Sequence, residues 1–256
     1  MRQSIGRPSG VWPLFFGKQD SMADIEKEEA LVQLAGTVAH ELNNIFTAVA
    51  GNLSLLEASL DEDRQKASLV NDVIRTANRG IELSQKLQAF AGRQKLNHTR
   101  FDLNQSVARA IAGLKRSLLR NIDVELVLLP ASCVVAADEE KFQHVVEELV
   151  KNAAVAMNHR GWITITTNQL VLQDNQAGRL PAGSYVRLSV RDSGGGMNPE
   201  VVRRALDPVF STRSGHQGWG LAKCAGFVRQ CGGEIVLSSI EGQGTAAEIY
   251  FPRQQI

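Results

Sequence analysis

From Leu31 the apolar positions run Leu31, Leu34, Val38, Leu42, Ile45, Val49, Leu53, Leu56 and Leu60. Their steps of three and four average about the 3.6 residues of an α-helical turn. Gly36 and Gly51 lower the local helix propensity without breaking the stripe. Asp61, Glu62 and Asp63 then interrupt it and suit the positive end of a following helix. A second stripe continues through Leu69, Val73, Ala77, Ile81, Ser84, Leu87 and Ala91. The pattern predicts two long amphipathic helices joined by a short acidic turn, an antiparallel hairpin. One hairpin cannot cover both of its own stripes, so pairing with a second copy into a four-helix bundle is the natural solution. The alternative packs the stripes on the C-terminal part of the chain. The first expectation is therefore a homodimer.

After Gly92 the pattern becomes mixed α/β. Asn104–Leu119 reads as a helix, Asp123–Leu129 as a strand with alternating apolar residues, and Lys141–Met157 as a strongly apolar helix. Trp162–Leu172 and Ser184–Val190 are strand-like, rich in β-branched residues. Glycines cluster at Gly194–Gly196 and Gly215–Gly220, and a last helix near Leu221–Gln230 is ended by Gly232 and Gly233. Glu234–Ser238 and Ala246–Phe251 form a final strand pair around the turn Glu241–Gly244. The first residues mix Gly6, Pro8, Gly10, Pro13 and Gly17, which predicts a flexible arm, and Met22 would also serve as a start. The expected organisation is an arm over 1–23, a helical hairpin over 24–95 and an α/β domain over 102–253.

Composition narrows the function classes. The 256 residues are 43% hydrophobic and 21% charged, which suits a globular chain with a real core and excludes global disorder. With 28 basic against 27 acidic residues no basic face is implied, so no nucleic-acid partner is expected. Cys133, Cys224 and Cys231 form no CxxC and leave an odd one over, which argues for a reducing compartment and against a disulfide framework or zinc knuckle. The N-terminal apolar stretch Val11–Phe16 is interrupted by Pro13 and is too short for a signal-peptide core or a bilayer span. A cytoplasmic location without a membrane partner is the expectation.

Four clusters carry candidate chemistry. His40 lies about 200° around the helix from both Val38 and Leu42, so it projects away from the apolar stripe. A lone exposed histidine is usually solvated surface, but Glu41 sets a carboxylate beside it and Asn44 an amide one turn on. An imidazole titrates near 6.5 and is mostly neutral and nucleophilic at pH 7, and a carboxylate can hold the tautomer that leaves one ring nitrogen free to attack. Glu148 and Asn152 are four apart on one face of a helix, two hard oxygen ligands of the kind magnesium uses with phosphate and water. As a segment it reads equally as a solvated polar face. Asp192-Ser193-Gly194-Gly195-Gly196 directly follows a strand; the aspartate can accept from an exocyclic amine and the glycines admit a ligand close to the backbone. Gly215-His216-Gln217-Gly218-Trp219-Gly220 opens a helix, where exposed N–H groups bind phosphate oxygens. No Gly-Lys-Ser/Thr follows it, so it is not a P-loop.

Singly these are modest; their order is specific. A helical His-Glu, then Glu-x-x-x-Asn, Asp-x-Gly-x-Gly, a glycine-rich lid and Gly-x-Gly-Thr at Gly242–Thr245 resembles the sensor histidine kinases over about residues 24–253. Lys86–Gln94 is similar to the end of that family's second phosphotransfer helix, and Pro208-Val209-Phe210-Ser211-Thr212-Arg213 to its phenylalanine box. The resemblance implies a dimeric phosphotransfer hairpin followed by an α/β-sandwich ATPase domain of the histidine kinase and Hsp90-like type. It implies ATP as substrate, Mg2+ as cofactor and a response-regulator receiver domain as partner. By the same resemblance His40 is the phosphoacceptor, Glu41 its assisting acid and Asn44 the residue that aids dephosphorylation of the partner. Asn152 becomes the magnesium ligand, with Glu148 at a position held by asparagine or glutamate in the wider superfamily. Asp192 becomes the adenine-amine acceptor with Thr245 beside it, and Gly194, Gly196, Gly218 and Gly220 the nucleotide-contacting glycines. Arg213 joins the nucleotide-binding set. The lid departs from the family pattern: one glycine is lost, the indole of Trp219 replaces an aliphatic residue, and the stretch from Phe210 to Gly218 is short. Trp219 either packs on the nucleotide or seals the lid against the domain. Two other readings stay open: a phosphotransferase or scaffold that has lost ATP binding, and an ATPase whose Glu148 activates water.

Overall fold

The computed structural model describes residues 22–58, 64–114, 118–212 and 218–254. Helix α1 spans Met22–Ala58 and α2 spans Arg64–Phe90, antiparallel and in contact along their length. Ala39, Val70, Ala77 and Ala89 are buried between or beneath them. The Phe46 ring lies against Gly80, where a Cβ would stand 2.7 Å from it, so small residues set the approach of the two helices. The hairpin is as expected, but α1 begins at Met22, inside the stretch expected as an arm. The acidic turn expected at Asp61–Asp63 and residues 1–21 lie outside the described residues.

The remainder is a helix-on-sheet layer. In chain order it runs β1 (Thr99–Asp102), α3 (Leu103–Leu114), β2 (Ile122–Val127), β3 (Val134–Ala137), α4 (Glu139–Ala156), β4 (Gly161–Leu172), β5 (Gly183–Asp192), α5 (Pro199–Arg204), α6 (Gly220–Gln230), β6 (Glu234–Ile240) and β7 (Gly244–Pro252). Five strands form one sheet in the order β2-β4-β5-β7-β6, with β2 parallel to β4 and the other pairs antiparallel. β1 and β3 form a separate antiparallel ribbon. The buried positions of α4, Phe142, Val145, Val146, Leu149, Val150, Ala153 and Ala154, repeat at helical spacing. They meet Ile163, Ile165, Leu188, Ile249 and Phe251 of the sheet and Phe227 of α6 in one core. Each fully buried side chain of this size contributes about 1.5–3 kcal/mol. Leu172, Ala177, Leu180, Tyr185 and Tyr250 make a second, small cluster.

The elements differ from expectation in the short pieces. The first α/β helix is described over Leu103–Leu114; residues 115–117 of its expected extension lie outside the described residues, and Leu119 is a buried loop residue. β1, β3 and α5 were not expected; four-residue strands are too short to show a period, whereas Asn198-Pro199 is an N-cap and first-turn proline that does announce α5. Cys133, Cys224 and Cys231 are all unpaired.

The hairpin is seated on the sheet domain through α2 and α6. A Cβ on Gly226 would stand 1.9 Å from the Ala89 carbonyl oxygen, so only glycine allows this approach. The segment leaving α2 is pinned on both sides: Gln230 Nε2 of α6 donates to the Gln94 carbonyl at 2.7 Å, and the Asn97 N–H donates to Asp138 Oδ2 at 2.9 Å. Asp138 is also the N-cap of α4, its Oδ1 accepting from the Lys141 N–H at 3.1 Å. Burial alone would raise the Asp138 carboxyl, but these N–H donors and the Lys141 charge outweigh it and hold the group below its ordinary range. Among the described residues no helix is long and apolar enough to cross a membrane.

Candidate active site

Two groups of residues take shape. The first is on the hairpin. His40, Glu41 and Asn44 are all exposed on α1, with His40 and Asn44 one turn apart. Helical geometry therefore presents an imidazole, a carboxylate and an amide to an approaching molecule at no cost to the core. The cleft beside them is lined by Gly36, Thr37, His40, Glu41, Gln88 and Arg93.

The second group gathers around the C-terminal half of α4. Asn152 Nδ2 donates to Glu148 Oε1 at 3.5 Å across one turn. Glu148 faces the start of α6: a Cβ on Gly220 would stand 2.0 Å from Glu148 Oε1. The helix that opens at Gly220 thus begins directly against the Glu148 carboxylate of α4. Burial, with the Glu148 charge nearby, pushes the Cys224 thiol of α6 up to about 12, which leaves it inert.

One turn beyond Asn152, Ala156 touches the strand end that carries Asp192, since a Cβ on Gly194 would meet both Asp192 Oδ1 at 2.8 Å and the Ala156 Cβ at 2.9 Å. Asp192 is buried at 5% exposure at the end of β5. Its Oδ1 accepts from the Gly194 N–H at 2.8 Å and the Thr245 N–H at 3.3 Å, which fixes the carboxylate in direction. Gly196 adopts φ +67°, and a Cβ there would collide with the Ile240 carbonyl at 2.0 Å, so the loop after β5 lies tight on the β6–β7 turn. Ser239 ties the two loops together: its Oγ accepts from the Met197 N–H at 2.8 Å, donates to the Gly244 carbonyl at 2.9 Å and lies 2.9 Å from Thr245 Oγ1. Sequence reasoning missed Ser239, as it did Asp138. An aspartate directly before a helix is a readable N-cap, whereas Ser239 owes its place to strand pairing alone.

Of the lid, Gly218 and Trp219 are described. Trp219 is buried at 8% exposure and is the residue before α6, so it packs into the domain. Val209 takes φ +64°, a strained region for a β-branched side chain, and the Arg204 guanidinium lies 4.3 Å over the Phe210 ring. Arg213 and His216 lie outside the described residues. The structure therefore brings Glu148, Asn152, Asp192, Gly194, Gly196, Gly220 and Thr245 into one region. It sets His40, Glu41 and Asn44 apart on the hairpin.

Residues 137–255 match the family of histidine kinase-, DNA gyrase B- and HSP90-like ATPases. Over 240 residues, 92% of this chain, the sequence is 31% identical to sensor kinase CckA of Brucella abortus, covering 25% of that protein. It is 28% identical over 235 residues to sensor histidine kinase ZraS of Klebsiella oxytoca, covering 91% of this chain and 48% of ZraS. It is 26% identical over 254 residues to the sensory histidine kinase/phosphatase NtrB of Rhizobium meliloti, covering 94% of this chain and 65% of NtrB. The chain thus spans between a quarter and two thirds of these relatives. Among solved structures, full-length ShkA in complex with AMPPNP shares the fold over 88% of this chain and 46% of ShkA, with a TM-score of 0.56 at 19% identity. The catalytic domain of histidine kinase ThkA aligns with 61% of this chain and 96% of its own, with a TM-score of 0.51 at 25% identity. The C-terminal domain is thus of this ATPase type, and over nearly its whole length the chain is similar to sensor histidine kinases.

Proposed function

We propose that this chain is the catalytic core of an ATP-dependent protein-histidine kinase that phosphorylates itself on His40. The phosphoryl group then passes to an aspartate of a response-regulator receiver domain. The observation that carries the reading is the clustering of Glu148, Asn152 and Gly220 on α4 and α6 in the same region as the buried, oriented Asp192. The hairpin corresponds to residues 24–95 and the ATP-binding domain to 102–253. Asp192 accepts from the adenine amine, with Thr245 beside it, while Gly194 and Gly196 let the ring lie close to the backbone. The N–H groups around Gly218 and Gly220 meet the phosphates, and Arg213 completes the nucleotide set.

The residues present fit magnesium: an amide and a carboxylate stand 3.5 Å apart. Among the described residues no cluster of three acidic, histidine or cysteine side chains could hold a metal alone. Such a donor set needs phosphate oxygens to complete it, as magnesium sites with nucleotides do. Asn152, with Glu148 close by, would hold the ion, which when bound neutralises charge on the phosphate oxygens. His40 supplies the nucleophile: a ring nitrogen with a free lone pair that would attack the γ-phosphorus in line once the hairpin and the ATP-binding domain meet. The N–P bond forms as the bond from the γ-phosphorus to its bridging oxygen breaks, and the electron pair leaves with ADP. Glu41 holds the tautomer and stabilises the proton on the other ring nitrogen. Asn44, one turn on, serves to orient water for dephosphorylation of the partner. The proposal is tested by whether γ-labelled ATP with magnesium leaves an acid-labile label on the protein.

The exposed stripe of the hairpin supports a homodimer. Leu34, Ile45, Leu56 and Leu69 are 61%, 56%, 48% and 63% exposed in the single chain. A contiguous apolar face of this kind needs a partner, and a second hairpin closes a four-helix bundle. Ile45→Asp is expected to convert a dimer to a monomer in sedimentation equilibrium; a chain that is monomeric without the substitution contradicts this part of the reading.

A further inference from the structure

The cleft beside His40 measures about 250 Å³. Gly36 and Thr37 lie four and three residues before His40, so each is its neighbour one turn back on α1. Arg93, three residues past the end of α2, lies across that turn. Its Nη1 donates to Thr37 Oγ1 at 2.7 Å. Its shaft fills the room a side chain at position 36 would need: a Cβ there would stand 2.5 Å from Arg93 Cδ and 2.9 Å from Nε. A glycine inside a long helix weakens it, and here its bare backbone is what lets the arginine lie flat. The backbone of Arg93 is held as well, its N–H donating to the Gln88 carbonyl at 3.0 Å. The next residue accepts from Gln230 of α6 at 2.7 Å.

We propose that this cleft is a phosphoryl cradle and that Arg93 is its positioning residue, holding the oxygens of the group carried on His40. The proposal rests on the histidine-kinase reading and adds a residue to it. Of the six residues lining the cleft, Arg93 is the permanently charged cation, and Glu41 places a like charge beside an incoming phosphoryl group. A guanidinium carries five N–H donors in a planar fork that matches phosphate oxygens, and Thr37 engages one of its terminal nitrogens. The Gln88 amide, on the α2 side of the same cleft, offers a further donor. Arg93 makes and breaks no bond; it offsets the Glu41 charge and fixes the phosphoryl group on the imidazole nitrogen. Because Arg93 stands on the segment pinned to α6 and to the cap of α4, the cradle is anchored to the helices that carry Gly220, Glu148 and Asn152.

The test uses the whole chain, γ-labelled ATP and magnesium. Arg93→Ala is expected to lower kcat for His40 labelling about tenfold, with KM for ATP unchanged because the nucleotide binds elsewhere. Arg93→Lys is expected to recover part of the loss, and guanidinium ion at non-denaturing concentration to restore Arg93→Ala without affecting the unsubstituted chain. Gly36→Ala keeps the guanidinium but displaces it, and should give the same KM-neutral loss without lowering helical content. Equal labelling rates in the unsubstituted chain, Arg93→Ala and Gly36→Ala overturn the cradle and leave the kinase reading standing. A loss that falls wholly on KM, or that neither lysine nor guanidinium restores, overturns it as well. An unsubstituted chain that takes no label overturns both.

Discussion

His40→Gln is expected to abolish the acid-labile label that γ-labelled ATP leaves on the protein, with nucleotide affinity and helical content unchanged. His40 is exposed on α1, so its removal takes no atom out of a packed core. Glutamine is a good helix former and keeps a polar side chain at the site. What it lacks is a ring nitrogen with a lone pair able to attack phosphorus. The loss is of the reaction rather than of the structure, at least about 10³-fold in labelling rate. Labelled protein is resolved by denaturing electrophoresis and divided between acid and alkali treatment. Label that persists in the variant would place the acceptor elsewhere.

Asp192→Ala is expected to weaken ATP binding about a hundredfold and to leave the proposed hairpin dimer intact. The carboxylate is buried, and its Oδ1 is fixed by the N–H groups of Gly194 and Thr245 at 2.8 and 3.3 Å. Truncation removes the acceptor proposed for the adenine amine. It also removes the group that holds the two glycine loops at their shared distance. A hydrogen bond to a charged group contributes about 1.5–3 kcal/mol, which is between about tenfold and a hundredfold in affinity. The loosened loops carry the effect to the upper end. Titration with a fluorescent nucleotide measures it, and a thermal melt separates loss of binding from loss of fold. An unchanged Kd would mean that the adenine does not lie against Asp192.

The first long helix is legible because nine apolar positions repeat the same period, which outweighs the glycines within it, and the second because a stripe of seven positions continues that period. α4 was legible for the same reason, and its Glu148–Asn152 pair follows from helical spacing once the helix is granted. Asp192 was legible from its place between a strand and three glycines. The β1–β3 ribbon was not, because four residues are too few to show alternation and the pairing joins segments more than thirty residues apart. Gly36 shows a different limit. Along the sequence it is only a weak spot in a helix, and its use appears when the return of the chain after α2 lays Arg93 over it. Trp219 had two readings as a sequence, on the nucleotide or against the domain, and burial to 8% at the start of α6 selects the second. Arg93 and Ser239 share one property: each acts through a partner distant in sequence, Thr37 and Met197 respectively, which spacing within a single segment cannot reveal.

Peptide mapping of the labelled protein at neutral pH locates the phosphoryl acceptor. After incubation with γ-labelled ATP and magnesium, one labelled peptide is expected, the one containing Ala39-His40-Glu41, with the phosphoryl group on the imidazole nitrogen of His40. Free phosphate released without any labelled peptide would contradict that expectation and assign Glu148 the task of activating water.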